Sequence, residues 1–292
     1  MAAENTTVDR GRFPDAVTPW EDPVWRAEAL GWVTGALAAH GLVETGARRV
    51  RLRPWSVLVR LAVAGRAPVW FKAVPPGAAF EAPLSESLAR WVPDHVLTPL
   101  AVEAARGWML LPDGGPVLWE VLDGQPADPG YWEEPLRRYA AMQRDLIPYA
   151  DAIEALGVPA AGPRALPELF DRLVAENTAP AREDRVAPAA LRPRVAVWSE
   201  ELASSGVADS LDHADLHEGQ LFAPAPGRYA VFDRGDALVG HPFHSLLVPA
   251  RTAFERCGPE VLPRPAGRPR GRRGGLLAAG AGYRPAAVSG PR

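Results

Sequence analysis

Histidine, aspartate and glutamine fall together in one stretch of the chain, Ser210 to Asp236 (SLDHADLHEGQLFAPAPGRYAVFDRGD). Its first part, HADLHEG, is polar, turn-prone and closed by a glycine. Two short apolar runs follow, Gln220 to Ala223 and Arg228 to Phe232. Pro224-Ala225-Pro226-Gly227 separates them, which predicts a β-hairpin. A hairpin brings its exit back to its entrance. Asp215 lies in the entering loop and Asp233 just past the exit, so both are expected at one end. Phosphoryl transfer needs such a grouping. One carboxylate orients or deprotonates a hydroxyl, and oxygen ligands hold the Mg²⁺ that bridges the phosphates. Asp215 is the candidate for the first task, Gln220 and Asp233 for the second. An HxDxH pattern alone also occurs in ordinary polar loops, and His with Asp can ligate a hydrolytic metal. Here the spacing is not HExxH, and no further histidine cluster lies upstream.

HADLHEGQ followed by VFDRGDA resembles the catalytic loop and metal-binding segment of the aminoglycoside phosphotransferase and choline kinase-like family. These are small-molecule relatives of the protein kinases. The family pattern is His-Gly-Asp-Leu-His-x-Gly-Asn, an apolar strand pair, then Ile-Asp-Trp. The resemblance implies that Asp215 is the catalytic base and Asp233 a magnesium ligand. Gln220 stands where the pattern has Asn, and Arg234 where it has Trp. WFKAV resembles the strand whose lysine holds nucleotide phosphates, which implies that role for Lys72. Glu81, three before Leu84 and seven before Leu88, is the implied partner of that lysine, with Glu86 in reserve. No glycine-rich loop precedes Lys72. Arg53-Pro54-Trp55-Ser56 takes its place, with Ser56 as the candidate phosphate contact. Met109 to Leu111, ahead of Pro112-Asp113-Gly114-Gly115, is the implied adenine-binding backbone at a hinge.

The resemblance covers about Trp20 to Val261 and implies an α+β, protein kinase-like, two-lobed fold. Its N-lobe is a small antiparallel sheet and its C-lobe is mostly helical. The implied activity is transfer of phosphate from ATP, with Mg²⁺, to a hydroxyl of a small molecule, aminoglycoside-like or another alcohol. Two other readings are a catalytically degenerate nucleotide- or ligand-binding protein and a metal-dependent hydrolase.

The elements that would position these residues are legible in outline. Asp22 and Pro23 open a helix that Gly41 ends, with Trp25, Ala29, Leu30, Trp32, Val33, Leu37 and Ala38 as its apolar face. Strands are expected at 50–52, 56–64, 68–74, 96–102 and 107–111, and a helix at 79–91. Further helices are expected at 118–122, 131–146, 151–157 and 163–176, with a long one at 182–205 broken by Pro188 and Pro193. His241 and His244 read as packing or capping residues. Residues 1–18 are expected to be disordered, 19–112 to form the N-lobe and 113–262 the C-lobe.

Composition bounds the rest. The chain has 292 residues, 47% of them hydrophobic, and a net charge of −3, which argues against general nucleic-acid binding. One cysteine permits no internal disulfide and suits a reducing cytoplasm. The start lacks a basic flank and apolar run, and no stretch is apolar enough to span a membrane. Neither a membrane nor an obligate protein partner is indicated. Residues 263–292 carry seven arginines, no acid and many Gly and Pro, so a tail without regular structure is expected. Its abrupt change in composition suggests a shifted reading frame, testable by translating the other two frames.

Overall fold

The computed structural model describes residues 7–177 and 186–258. The basic tail from residue 263, and the frame change suggested for it, lie outside them. Helix α1 (Pro23–Ala39) starts as its sequence dictates, with Asp22 Oδ1 accepting the Val24 N–H at 2.8 Å and Pro23 in the first turn. It ends ahead of Gly41, whose φ of 64° turns the chain away.

Five antiparallel strands follow: β1 (Arg49–Arg53), β2 (Ser56–Leu61), β3 (Val69–Ala73), β4 (Ala101–Glu103) and β5 (Trp108–Pro112), in the order β1-β2-β3-β5-β4. β4 is shorter than expected. Pro99 cannot donate to a ladder, and Val96 instead makes a parallel bridge to Val231. The register sorts the side chains by face. Leu52, Val57, Ala73 and Trp108 form one cross-strand row, and Val50, Val59, Phe71 and Leu110 another. Both rows pack under α1, with Ala29, Val33 and Leu37. Trp25 and Trp32 meet Trp108 edge-on at 5.6 and 6.0 Å. The opposite face carries the row Arg51, Leu58, Lys72, Met109 and Val102. Strand alternation therefore puts the one apolar face to α1 and the lysine to the other side.

Residues 7–18 are not the disordered arm expected. Val8 is buried in the α1 core, and the Asp9 N–H donates to Leu52 O at 3.0 Å, adding a segment along β1. One apolar residue and one backbone bond to a strand edge are enough to hold it.

Helix α2 (Glu81–Trp91) follows β3 but packs elsewhere. Leu84, Leu88 and Val92 join a second core with the helical half of the chain. That half contains α3 (Leu118–Val121), α4 (Glu133–Leu146), α5 (Ala150–Ala155), α6 (Leu166–Glu176), α7 (Val186–Ala189), α8 (Arg192–Ala203) and α9 (Leu247–Cys257). The helix expected over 182–205 is thus two pieces among the described residues, because Pro193 lacks an N–H and opens α8 instead. A small sheet, β6 (Ala160–Ala161), β10 (Leu238–Gly240) and β7 (Ser210–Asp212), and the hairpin β8 (Leu221–Ala225) and β9 (Arg228–Val231) complete the fold. The hairpin is the one expected, turning at Gly227 with φ 73° and stacking Phe222 on Phe232 at 4.1 Å. Among the described residues, no helix is long and apolar enough to cross a membrane.

Candidate active site

Lys72 is the only lysine in the chain, and it is 4% exposed near the end of β3. A buried ammonium needs partners. It has two: Glu81 Oε1 at 2.6 Å, from the first turn of α2, and Asp233 Oδ1 at 2.5 Å, just past β9. Burial draws the Lys72 pKa down, but the two carboxylates outweigh it and the net direction is up. Burial holds the Glu81 pKa above the usual carboxylate range. Asp233 is also opposed by burial, yet Lys72 and a hydrogen bond from Gln220 bring it down to about 2. Glu86 lies on the surface with Arg90, so Glu81 is the residue that meets the lysine.

The segment after β9 is fastened from several sides. The Arg234 N–H donates to Glu81 Oε1 at 2.8 Å, and the Arg234 guanidinium donates to the Val231 carbonyl. Burial lowers the pKa of that guanidinium to about 10. Arg234 is thus buried and returns its charge to a backbone oxygen. His213 Nε2 lies 2.7 Å from Phe232 O, so that nitrogen is the protonated donor. Burial depresses the His213 pKa to about 4, which keeps the ring neutral.

Asp215 stands two residues beyond His213, in a loop held from beneath. Tyr139 OH accepts the His213 N–H at 3.0 Å, Gln143 Nε2 donates to Leu211 O at 3.1 Å, and Ser210 Oγ donates to Gln143 O at 2.6 Å. All three bonds tie β7 and its exit to α4. Ala214 takes φ 61°, and Asp233 takes φ 60°. They are the only non-glycine residues with positive φ among those described. Such conformations persist where surroundings over-determine them, and here one adjoins Asp215 and the other is Asp233 itself. The Asp215 carboxyl is partly exposed, with His217 Nε2 at 3.7 Å from it.

Gln220 closes a short helical turn, Glu218–Gln220, just before β8. Its side chain bonds Asp233, and its carbonyl accepts the Phe232 N–H at 3.1 Å. Ser56 begins β2 on the Lys72 face of the sheet, two positions from Leu58, which stands opposite Lys72. The suggested adenine-binding backbone, Met109 to Leu111, lies within β5. Leu110 O accepts the Leu100 N–H at 2.7 Å. Alternation then turns the Met109 and Leu111 groups toward β3, opposite Lys72 and Trp70. Both residues pair with β3, and β5 runs on to Pro112, which stands opposite Val69. Met109 remains as a buried side chain in the Lys72 row.

Asp236 belongs to the site and was not singled out. Burial raises its pKa, and the charges of Asp215 and Asp233 push it further. The three aspartates and Lys72 therefore share one field. The Asp-Arg-Gly-Asp spacing was the available signal. His241 caps the turn before α9, accepting the Phe243 N–H at 3.3 Å, and His244 Nδ1 lies 3.5 Å from buried Asp212.

No protein-family model matches the chain, and no curated protein matches it. Solved structures do. The macrolide 2′-phosphotransferase MphH from Brachybacterium faecium, an apoenzyme, aligns with a TM-score of 0.51 at 21% identity, over 83% of this chain and 84% of that one. An ethanolamine kinase from Plasmodium vivax aligns with a TM-score of 0.54 at 13% identity, over 84% and 72%. APH(2″)-IIia, solved with GDP and kanamycin, aligns at 0.50 and 14% identity, over 80% of each chain. At these identities the likeness is one of architecture. The chain therefore has the α+β, kinase-like fold that macrolide and aminoglycoside phosphotransferases share with ethanolamine kinase.

Proposed function

We propose that the protein is a small-molecule kinase, moving the terminal phosphoryl group of ATP to a hydroxyl of its acceptor. The observation that carries this reading is the junction of Lys72, Glu81 and Asp233, from three separate elements, beside Asp215. An ammonium next to an ionised carboxylate is what a nucleotide's phosphates and their cation require. The solved relatives named above are phosphotransferases, and one was captured with GDP and kanamycin. No group of three His, Cys, Asp or Glu residues is poised to hold a metal among those described. Asp233 with the Gln220 amide oxygen nevertheless fits Mg²⁺, which takes one or two protein oxygens and completes its shell with phosphates and water. That cation would supply charge neutralisation between the phosphate oxygens.

The chain's own residues would divide the rest. Lys72 holds the inner phosphates, and Glu81 fixes its ammonium. Asp215 accepts a hydrogen bond from the acceptor hydroxyl, orients its oxygen in line and receives its proton. Positioning and charge neutralisation provide most of the rate. Asp215→Ala should leave nucleotide affinity nearly intact and lower turnover by about 100-fold or more. The measurement is ATP consumption over a panel of hydroxyl compounds, aminoglycosides, choline-like alcohols and sugars included. Turnover unaffected by the substitution would overturn the mechanism.

The Gln220 hydrogen bond on Asp233 favours a second reading, a nucleotide- or ligand-binding protein without turnover. Tight MgATP binding with no consumption on any acceptor would select it.

A further inference from the structure

The sheet face that overlooks Lys72 carries arginines that the mechanism above leaves unused. Strand parity puts Arg49, Arg51 and Arg53 of β1 there, with Arg60 of β2. Two of them are occupied. Arg53 pairs with Asp9, and the Arg60 guanidinium lies 6.0 Å from the Trp70 ring centroid. Arg51 stands in the Lys72 row itself, through Leu58, which is opposite both. Two strand spacings separate their backbones, about 10 Å. Arg51 is exposed and has no hydrogen-bond or ion-pair partner among the described residues. Strand parity puts it on the Lys72 face; burial and Arg53 pull its pKa down, and the charge of Asp233 opposes them.

Kinases with a glycine-rich loop cover the phosphates with the loop's backbone. This hairpin cannot do so. Its strands are joined by Pro54-Trp55 alone, with Arg53 and Ser56 already paired across the turn, and Pro54 has no N–H. The tip is also pinned from outside. Val8 is buried behind it, the Asp9 carboxylate holds Arg53, and Phe13 meets Trp55 edge-on at 6.0 Å. A hairpin so fastened does not fold down onto a ligand.

We infer that Arg51 does the work of the missing loop, its guanidinium binding the outer phosphates of the nucleoside triphosphate from the sheet side. A planar fork of N–H donors matches phosphate oxygens in pairs and supplies charge where backbone amides supply only dipoles. Lys72 and Arg51 would then grip the phosphate chain at two points, across the cleft from Asp233. The inference rests on the kinase reading and adds a phosphate-binding residue to it.

Calorimetric titration of the full chain with MgATP, AMP and inorganic tripolyphosphate tests it. Arg51→Gln should weaken ATP and tripolyphosphate roughly 10-fold or more and AMP by less than about twofold, since only the outer phosphates lose a charged partner. Arg49→Gln, on the same strand and face but further from Lys72, is the comparator and should change ATP affinity by less than about threefold. Equal losses in the two variants would reduce the effect to general charge and overturn the inference. So would ATP affinity unchanged by Arg51→Gln, which leaves the kinase reading intact. A wild-type protein that binds neither ATP nor tripolyphosphate would remove the kinase reading and this inference together.

Discussion

Lys72 of β3 and Asp233 beyond β9 form an ion pair at 2.5 Å, although 161 positions separate them in the chain. This contact joins the sheet to the hairpin that follows the Asp215 loop. With Glu81 it places one cation between two acids, and the three side chains depend on one another.

Removing the cation should therefore cost more than its own contacts. Lys72→Met leaves Glu81, 1% exposed, facing Asp233 with no counter-charge. A loss of about 3 kcal/mol is expected, the scale of breaking a buried pair. Adding Glu81→Gln should recover at least about 1 kcal/mol of it, because position 81 then carries no charge beside Asp233. Urea denaturation of the two singles and the double reads this out, and strict additivity would show that the residues are not coupled.

His213 predicts an acid-side loss of stability. Its folded pKa of about 4 lies below the ordinary 6.5, so the unfolded chain binds more protons between those values. Stability contributed by the neutral ring is complete above pH 6.5 and falls as pH drops toward 4, by about 3 kcal/mol in all. In His213→Asn, which keeps an N–H for Phe232 O, the slope of stability against pH across that window should flatten.

Ala214 holds a left-handed conformation that suits glycine. Ala214→Gly relieves that strain but adds freedom to the unfolded chain. The expected net gain is about 0.5 to 1 kcal/mol, visible as a higher melting temperature. A drop instead would mean that the Ala214 methyl packs in a way that outweighs its backbone cost.

Gln220 is expected to govern cation use. Gln220→Ala frees Asp233 of one hydrogen bond and removes an oxygen donor. The Mg²⁺ concentration that half-saturates ATP binding should rise about 10-fold or more, on the scale of losing a metal-site partner. ATP affinity measured without metal should stay unchanged, which separates a cation role from a structural one.

Much of this molecule was determined locally and so was legible in its sequence. Asp22-Pro23 started α1, the Val69–Ala73 run made a strand, and Pro226-Gly227 turned the hairpin, each by short-range sterics and capping. The HADLHEGQ and DRGD spacings marked Asp215, Gln220 and Asp233 for the same reason, since a hairpin's ends must meet. Tertiary structure decided the rest. Which of Glu81 and Glu86 reaches Lys72 depended on how α2 rotates against two cores. Whether Met109 could offer its backbone depended on strands on either side of it. The order of residues 7–18 rested on Val8 and Asp9 finding β1, a contact between distant segments. Even Arg51 and Lys72 share a face only because β2 sets their register. Those outcomes depend on pairings between remote parts of the chain, where energies of one or two kcal/mol select among alternatives that look alike in sequence.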